Sequence, residues 1–189
     1  GITKNTTAKI TVQHSLIYNK LISEFGYEKA LMYLKANEDA LNEYKRICKK
    51  IHCDFEIKNS YVYSTNDRKV LENEAKALNS LKYNATYIES LSLPFKTAGG
   101  VEIKSQAQFN PLKLIYNLSE DLNIYENTFI YDISDNQAIS KHGKIKFNKA
   151  IICTHFPFIN KYGGYFLKLY QHRSYVSLYK NVSLSDGMY

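Results

Sequence analysis

The spacing of apolar residues along this chain first changes near residue 51, from a helical period to a period of two, and that change limits the folds open to it. Upstream of it, Ile10, His14, Ile17, Leu21, Ile22 and Phe25 recur every three or four positions. That is one face of a helix, predicted over residues 7–25. Gly26 is a natural stop. Leu31, Leu34, Leu41, Tyr44, Cys48 and Ile51 then outline a second helix over residues 27–50. Its acidic residues (Glu28, Glu38, Asp39, Glu43) precede its basic ones (Lys45, Arg46, Lys49, Lys50), as the helix dipole favours. Downstream the period falls to two. Residues 54–58 and 61–64 read as two strands around Asn59-Ser60.

Beyond that point the chain mixes both periods. A short helix over 68–81 carries Leu71, Ala75 and Leu78 inward, and 85–88 is a short strand. Gly99-Gly100 punctuates a loop, and 101–103 and 107–109 are extended. Asn110 is a good N-cap with Pro111 in the first helical position. The helix it opens runs to residue 122 with Leu112, Ile115, Leu118 and Leu122 inward. Residues 123–134 and 144–147 suggest strands with a turn at His142-Gly143. Residues 150–154 form a short apolar run expected to be a buried strand holding a buried Cys153. Residues 166–170 and 174–179 again look like strands. The expected class is α+β, with a mixed, largely antiparallel sheet, helices, and edge elements of an α/β domain.

Composition argues against several functions. A net charge of +7 invites nucleic acid, but it comes from 22 Lys and only 3 Arg, beside 17 Asn and 17 Tyr. Nucleic-acid readers rely on the bidentate guanidinium, so a nucleic-acid role is not expected, although Tyr61, Tyr63, Tyr175 and Tyr179 could line a sheet face. No apolar run reaches the roughly 20 residues of a membrane helix, and no signal peptide opens the chain. A soluble, cytoplasmic protein without a membrane partner is expected. Cys48, Cys53 and Cys153 do not suggest a disulfide framework. His52 between the first two lacks a second ligand pair, so no metal site is expected. The chain starts at Gly1 and ends on Ser185-Asp186-Gly187-Met188-Tyr189, a turn leading toward a further strand. We expect an internal piece of a longer protein.

No self-sufficient catalytic motif is present. Five segments in combination, however, resemble the D-amino-acid oxidase-like flavoproteins, in particular a bacterial branch often fused to a Rieske iron–sulfur domain. They are the opening stretch from Gly1 to His14, Gln106-Ala107-Gln108-Phe109-Asn110-Pro111-Leu112-Lys113, the run from Ile124 to Ile133, Lys149 to Ile159, and Tyr170-Gln171-His172-Arg173-Ser174-Tyr175. Lys4, Asn110 and Cys153 stand where that branch usually has Gly, His and Ala.

The resemblance implies roles. Thr6, Thr7, Ala8 and Lys9 would lie beside FAD, where amides and hydroxyls at a helix N-terminus suit an anion. Ile130 lies on a strand whose backbone would pass the adenine, and Thr154 and His155 would end a buried strand close to the dinucleotide. Gln108, Arg173 and Tyr175 would face the substrate, with Arg173 pinning a carboxylate. The implied organisation is a cofactor-proximal loop and helix (1–26), a substrate-side α+β domain (27–122), strands returning to the FAD-binding domain (123–160), and further substrate-side strands (161–189). The implied function is amine or amino-acid oxidation by hydride transfer to flavin, with no catalytic base named. The implied partners are the remainder of the parent chain, its FAD-binding domain and a Rieske domain where one is fused. This piece alone is not expected to hold FAD or turn over. The competing reading is a non-catalytic binding module for a ligand or nucleic acid, with a basic surface.

Overall fold

The structure is a computed structural model describing residues 2–156 and 163–189. It divides into two compact units, residues 1–120 with 176–189, and residues 121–175. The expected α+β class holds, with antiparallel sheets throughout.

The first unit is organised around one long strand. After a 3-10 turn, Ile2–Asn5, its elements are β1 (Lys9–Ile10), α1 (Tyr18–Phe25), α2 (Tyr27–Cys48), β2 (Glu56–Ser64), α3 (Arg68–Ser80), β3 (Thr86–Ile88), β4 (Gly99–Gln108) and α4 (Pro111–Ser119). β2 pairs with β4 from Glu56↔Gln108 to Ser64↔Gly99. β1 takes one end of the other β4 edge, through Lys9↔Gln108, and β3 takes the far end. Helices α1, α2 and α3 supply Tyr18, Ala30, Leu34, Leu71, Ala75 and Leu78 to a core with Val12, Val101 and Ile103. The inward residues foreseen for α3 are all buried there. Asp67 Oδ1 caps α3 by accepting from Val70 N at 3.0 Å.

Three local expectations for this unit fail. The helix foreseen from residue 7 begins only at Tyr18. Lys9 and Ile10 give their backbone to β4, Val12 N donates to Gln106 Oε1 (2.9 Å), and Ser15 takes φ +61°. Those amides are therefore spent on the sheet. The hairpin foreseen at Asn59-Ser60 is one continuous strand with a register shift between Lys58 and Ser60, opposite a left-handed Ser105 (φ +58°). The Gly99-Gly100 loop is the start of β4; a Cβ on Gly99 would lie 2.6 Å from Ile88 O, so the strand needs glycine there. On α4 the inward face is also corrected. Only Leu114 is buried, while Leu112, Ile115 and Leu118 are exposed, as is Leu122 beyond the helix end.

The second unit is a meander, β5 (Ile130–Ser134), β6 (Gln137–Ser140) and β7 (Gly143–Lys146), followed by the single helical turn α5 (Tyr165–Lys168). β6 was not foreseen. Asp135 and Asn136, at φ +47° and +56°, form the two-residue turn that creates it. Residues 150–154 are not a strand: Ile151 is 89 % exposed and Cys153 is exposed. An apolar strand needs a partner for its backbone and cover for its faces, and no described strand pairs with these residues. The strands foreseen at 166–170 and 174–179 are likewise absent, and Tyr170, Leu178 and Tyr179 are exposed. Among the described residues no helix is long and apolar enough to cross a membrane.

Candidate functional site

Two turns of the first unit meet at the end of β4 around an open cavity of about 400 Å³. One turn carries Lys4, Thr6, Thr7 and Ala8; the other carries Asp54 and leads to Glu56; Gln108, Phe109, Asn110, Pro111 and Leu112 close the wall. Thr6 Oγ1 donates to Thr3 O (3.2 Å), which folds the first turn back before Ala8 enters β1. Ala8 has φ +58° and Asp54 φ +52°. Left-handed residues other than glycine cost free energy, and such strain concentrates at functional sites. Phe109 N donates to Ala8 O (3.3 Å) and Asn110 N to Cys53 O (2.7 Å), so the strand-to-helix junction holds both turns.

Asn110 also caps α4, accepting from Lys113 N at 3.2 Å with Pro111 next in line. Its amide donates to Asp54 Oδ2 (3.3 Å), and Asp54 Oδ1 accepts from Lys113 Nζ (2.8 Å). The Lys113 hydrogen bond holds the Asp54 carboxyl below the usual carboxylate range, with help from Asn110, the Lys113 charge and His52. Gln108 Nε2 donates to Glu56 Oε2 (2.9 Å). Glu56 Oε2 also lies 3.4 Å from Lys58 Nζ, and Lys58 is raised above its ordinary value chiefly by its hydrogen bond to Asp186. The cavity thus joins hydroxyls, an amide and carboxylates, suited to orienting a polar ligand. Among the described residues no three His, Cys, Asp or Glu side chains gather as metal ligands.

Thr6, Thr7, Ala8 and Gln108 share this cavity. Thr6 and Thr7 stand at a turn into a strand, so the helix N-terminus expected for anion binding is not there. Lys9 faces Gln108 across the ladder but lines a second cavity, where its Nζ donates to the main-chain oxygen of Tyr189. Ile130 opens β5, half-buried. Thr154 is exposed, its Oγ1 donating to Phe156 O (3.1 Å), and His155 is exposed with φ +63°. Arg173 and Tyr175 are exposed and outside regular structure. These last five belong to the second unit. The segment after Phe156, through Pro157, Phe158 and Ile159, lies outside the described residues. Sequence reasoning missed Asp54 and Glu56; the only hint is that Asp tolerates left-handed turns.

No family model matches the chain. It is 34 % identical, over an alignment of 204 positions covering all of this chain, to a protein of Bacillus subtilis (strain 168) named "Putative Rieske 2Fe-2S iron-sulfur protein YhfW". The chain spans 40 % of that relative's length. Its structure is similar to the crystal structure of glycine oxidase from Geobacillus kaustophilus, with a TM-score of 0.53, 18 % identity, and coverage of 77 % of this chain and 43 % of that one. At that identity the likeness establishes the fold alone: this chain has an α+β fold also found in part of glycine oxidase.

Proposed function

We propose that this chain is part of a FAD-dependent oxidoreductase that oxidises a small amine or amino acid. The observation that carries the reading is the cavity at the end of β4. It joins Thr6, Thr7 and Ala8, which the sequence resemblance sets beside the cofactor, to Gln108, which it sets beside the substrate. The fold likeness to glycine oxidase supports it.

The residues present fit one side of a flavin site. Hydroxyls and backbone at Thr6–Ala8 can meet polar groups of a dinucleotide, and Gln108 can orient a substrate. About 400 Å³ falls near the low end of ligand clefts and takes only part of a dinucleotide. The sequence also has no glycine-rich phosphate loop. This chain would therefore supply one wall, with the rest of a longer protein as its partner. Bound flavin supplies the two-electron acceptor. The chain's residues would bind and aim the substrate, with Gln108 held by Glu56.

The name of the Bacillus relative points to a 2Fe-2S cluster in that protein. A Rieske cluster needs two Cys and two His. The described residues do not offer such a group, so no step is assigned to a cluster here.

The test is a titration of FAD, followed by flavin fluorescence and visible absorption, into this chain and into a longer protein containing it. Tight binding by the longer protein, weakened by Thr7→Val combined with Gln108→Ala, is expected. Absence of flavin binding by the longer protein overturns the reading.

A further inference from the structure

Helix α2 ends on a thiol that meets a second one. Leu41, Tyr44 and Cys48 recur at helical spacing, so they share one face of α2. Leu41 is buried with Ile10 and Ala107, and the Tyr44 ring lies 5.5 Å from that of Phe109. That face is therefore the one turned to the end of β4. Cys48, one turn beyond Tyr44, is half-buried, and its thiol shares a hydrogen bond with that of Cys53. Cys53 is 1 % exposed.

The segment between them is short and held. Lys50 N and Ile51 N both donate to Ile47 O (2.9 and 3.2 Å), so α2 winds on past Cys48 before the chain doubles back to Cys53. Cys53 is also tied to the candidate site. Its carbonyl accepts from Asn110 N (2.7 Å), and Asp54, the next residue, lines the cavity at φ +52°. A bond made at Cys53 would therefore act on both cavity residues. Among the described residues no metal-ligand cluster includes either thiol.

We propose that Cys48 and Cys53 are a reversible disulfide site, oxidised by a low-molecular-weight disulfide, that clamps the Asp54 turn of the cavity to the end of α2. Two thiols are bridged without backbone rearrangement only where their side chains already meet, and these two do. The Cys48 thiolate, the more exposed of the pair, attacks one sulfur of the oxidant; a mixed disulfide forms and one small thiolate leaves. The Cys53 thiolate then attacks the Cys48 sulfur and expels the second. Two electrons pass to the oxidant, and the two thiol protons end on the two released small thiols. Burial, and then the hydrogen bond to Cys53, push the Cys48 thiol up to about 12, so its thiolate is scarce and exchange waits on local opening of residues 49–53. The fold thus favours the bond at equilibrium and slows its formation. Once made, the bond draws Cys53 toward α2, and with it the carbonyl that holds Asn110 and the turn that carries Asp54. Bond formation is independent of flavin and of what the cavity binds.

The experiment equilibrates the Cys153→Ser chain overnight in glutathione redox buffers, blocks free thiols with an alkylating reagent and weighs the product. That substitution removes an exposed thiol that would join chains to one another. A product lighter by about 2 Da, unalkylated at Cys48 and Cys53 and restored by dithiothreitol, is expected. The equilibrium constant for oxidation is expected to be about tenfold larger in the folded chain than in concentrated urea, where only spacing along the sequence keeps the thiols near each other. A folded chain harder to oxidise than the denatured one overturns the proposal. So does a folded chain that ends with glutathione on Cys48 and no internal bond. Backbone NMR reads the clamp: on oxidation the amides of Asp54 and Asn110 are expected to shift while those in the middle of α3 stay. Unmoved Asp54 and Asn110 amides in the oxidised chain overturn the clamp. Cys48→Ser is expected to abolish the mass loss and the shifts together.

Discussion

The carboxylate of Glu74, in the middle of α3, caps the first turn of α1: Oε1 accepts from Tyr18 N at 2.8 Å and Oε2 from Asn19 N at 2.9 Å. Glu74 and Tyr18 are both fully buried. A helix start leaves backbone N–H groups without partners, and no side chain near α1 in sequence caps it. A residue more than fifty positions away does so instead. Tyr18 then reaches back with its hydroxyl to Val12 O (2.6 Å), and burial raises its phenol well above the ordinary value. The incoming strand, α1 and α3 are thereby tied into one core.

Glu74→Gln keeps one acceptor and points an amide donor at a backbone donor. A loss of about 1–3 kcal/mol is expected from such an unsatisfied buried pair. Urea unfolding followed by circular dichroism checks it. A midpoint equal to that of the unaltered chain would mean the cap contributes nothing to stability.

The three thiols should differ sharply in reactivity. Cys153 is exposed, whereas Cys53 is 1 % exposed. The Cys48 thiol is pushed up to about 12 by burial and then by its hydrogen bond to Cys53. Thiolate is the reactive form. A chromogenic disulfide reagent should therefore titrate one fast thiol in the native chain and the remaining two only on unfolding. Cys153→Ser should remove the fast phase.

Asp54 provides a pH test. Its folded-state value lies below the ordinary 3.8, first because of the Lys113 hydrogen bond. A depressed carboxylate contributes stability above its unfolded value and loses it as pH falls through the folded one. Lys113→Met should move the Asp54 titration upward, toward the ordinary value, and shrink the stability lost on acidification below about pH 4. Carboxyl-carbon NMR reads the titration directly. Because the pair is exposed, the change in stability at neutral pH should be small.

Asn110→Ala removes the cap of α4 and the amide that meets Asp54. A loss of about 1 kcal/mol is expected. Amide exchange in residues 111–114 should accelerate more than in α3. Uniform acceleration across the unit would instead assign Asn110 a wider role.

Much of this fold was legible locally. α2 and α3 follow from apolar spacing, and Asn110-Pro111 marks the start of α4 because a side-chain acceptor and a missing N–H are both local properties. The candidate site was legible in part. Thr6, Thr7, Ala8 and Gln108 were singled out from the resemblance, and the structure brings them to one cavity. Asp54 and Glu56 were not, because nothing in their neighbours signals that Cys53 O will hold Asn110 from across the unit.

The sequence by itself determined which stretches could become helix or strand, and so the α+β class. Tertiary structure decided which of them did. Residues 9–10, on a helical apolar period, became a strand because β4 offered their amides partners. Residues 150–154, apolar enough for a strand, found no described partner and stayed exposed. Leu112, Ile115 and Leu118 share a helical face that no core among the described residues covers, while Leu114 is buried. Apolar spacing records a preference for burial, but a backbone hydrogen bond or a buried face needs a second segment to complete it.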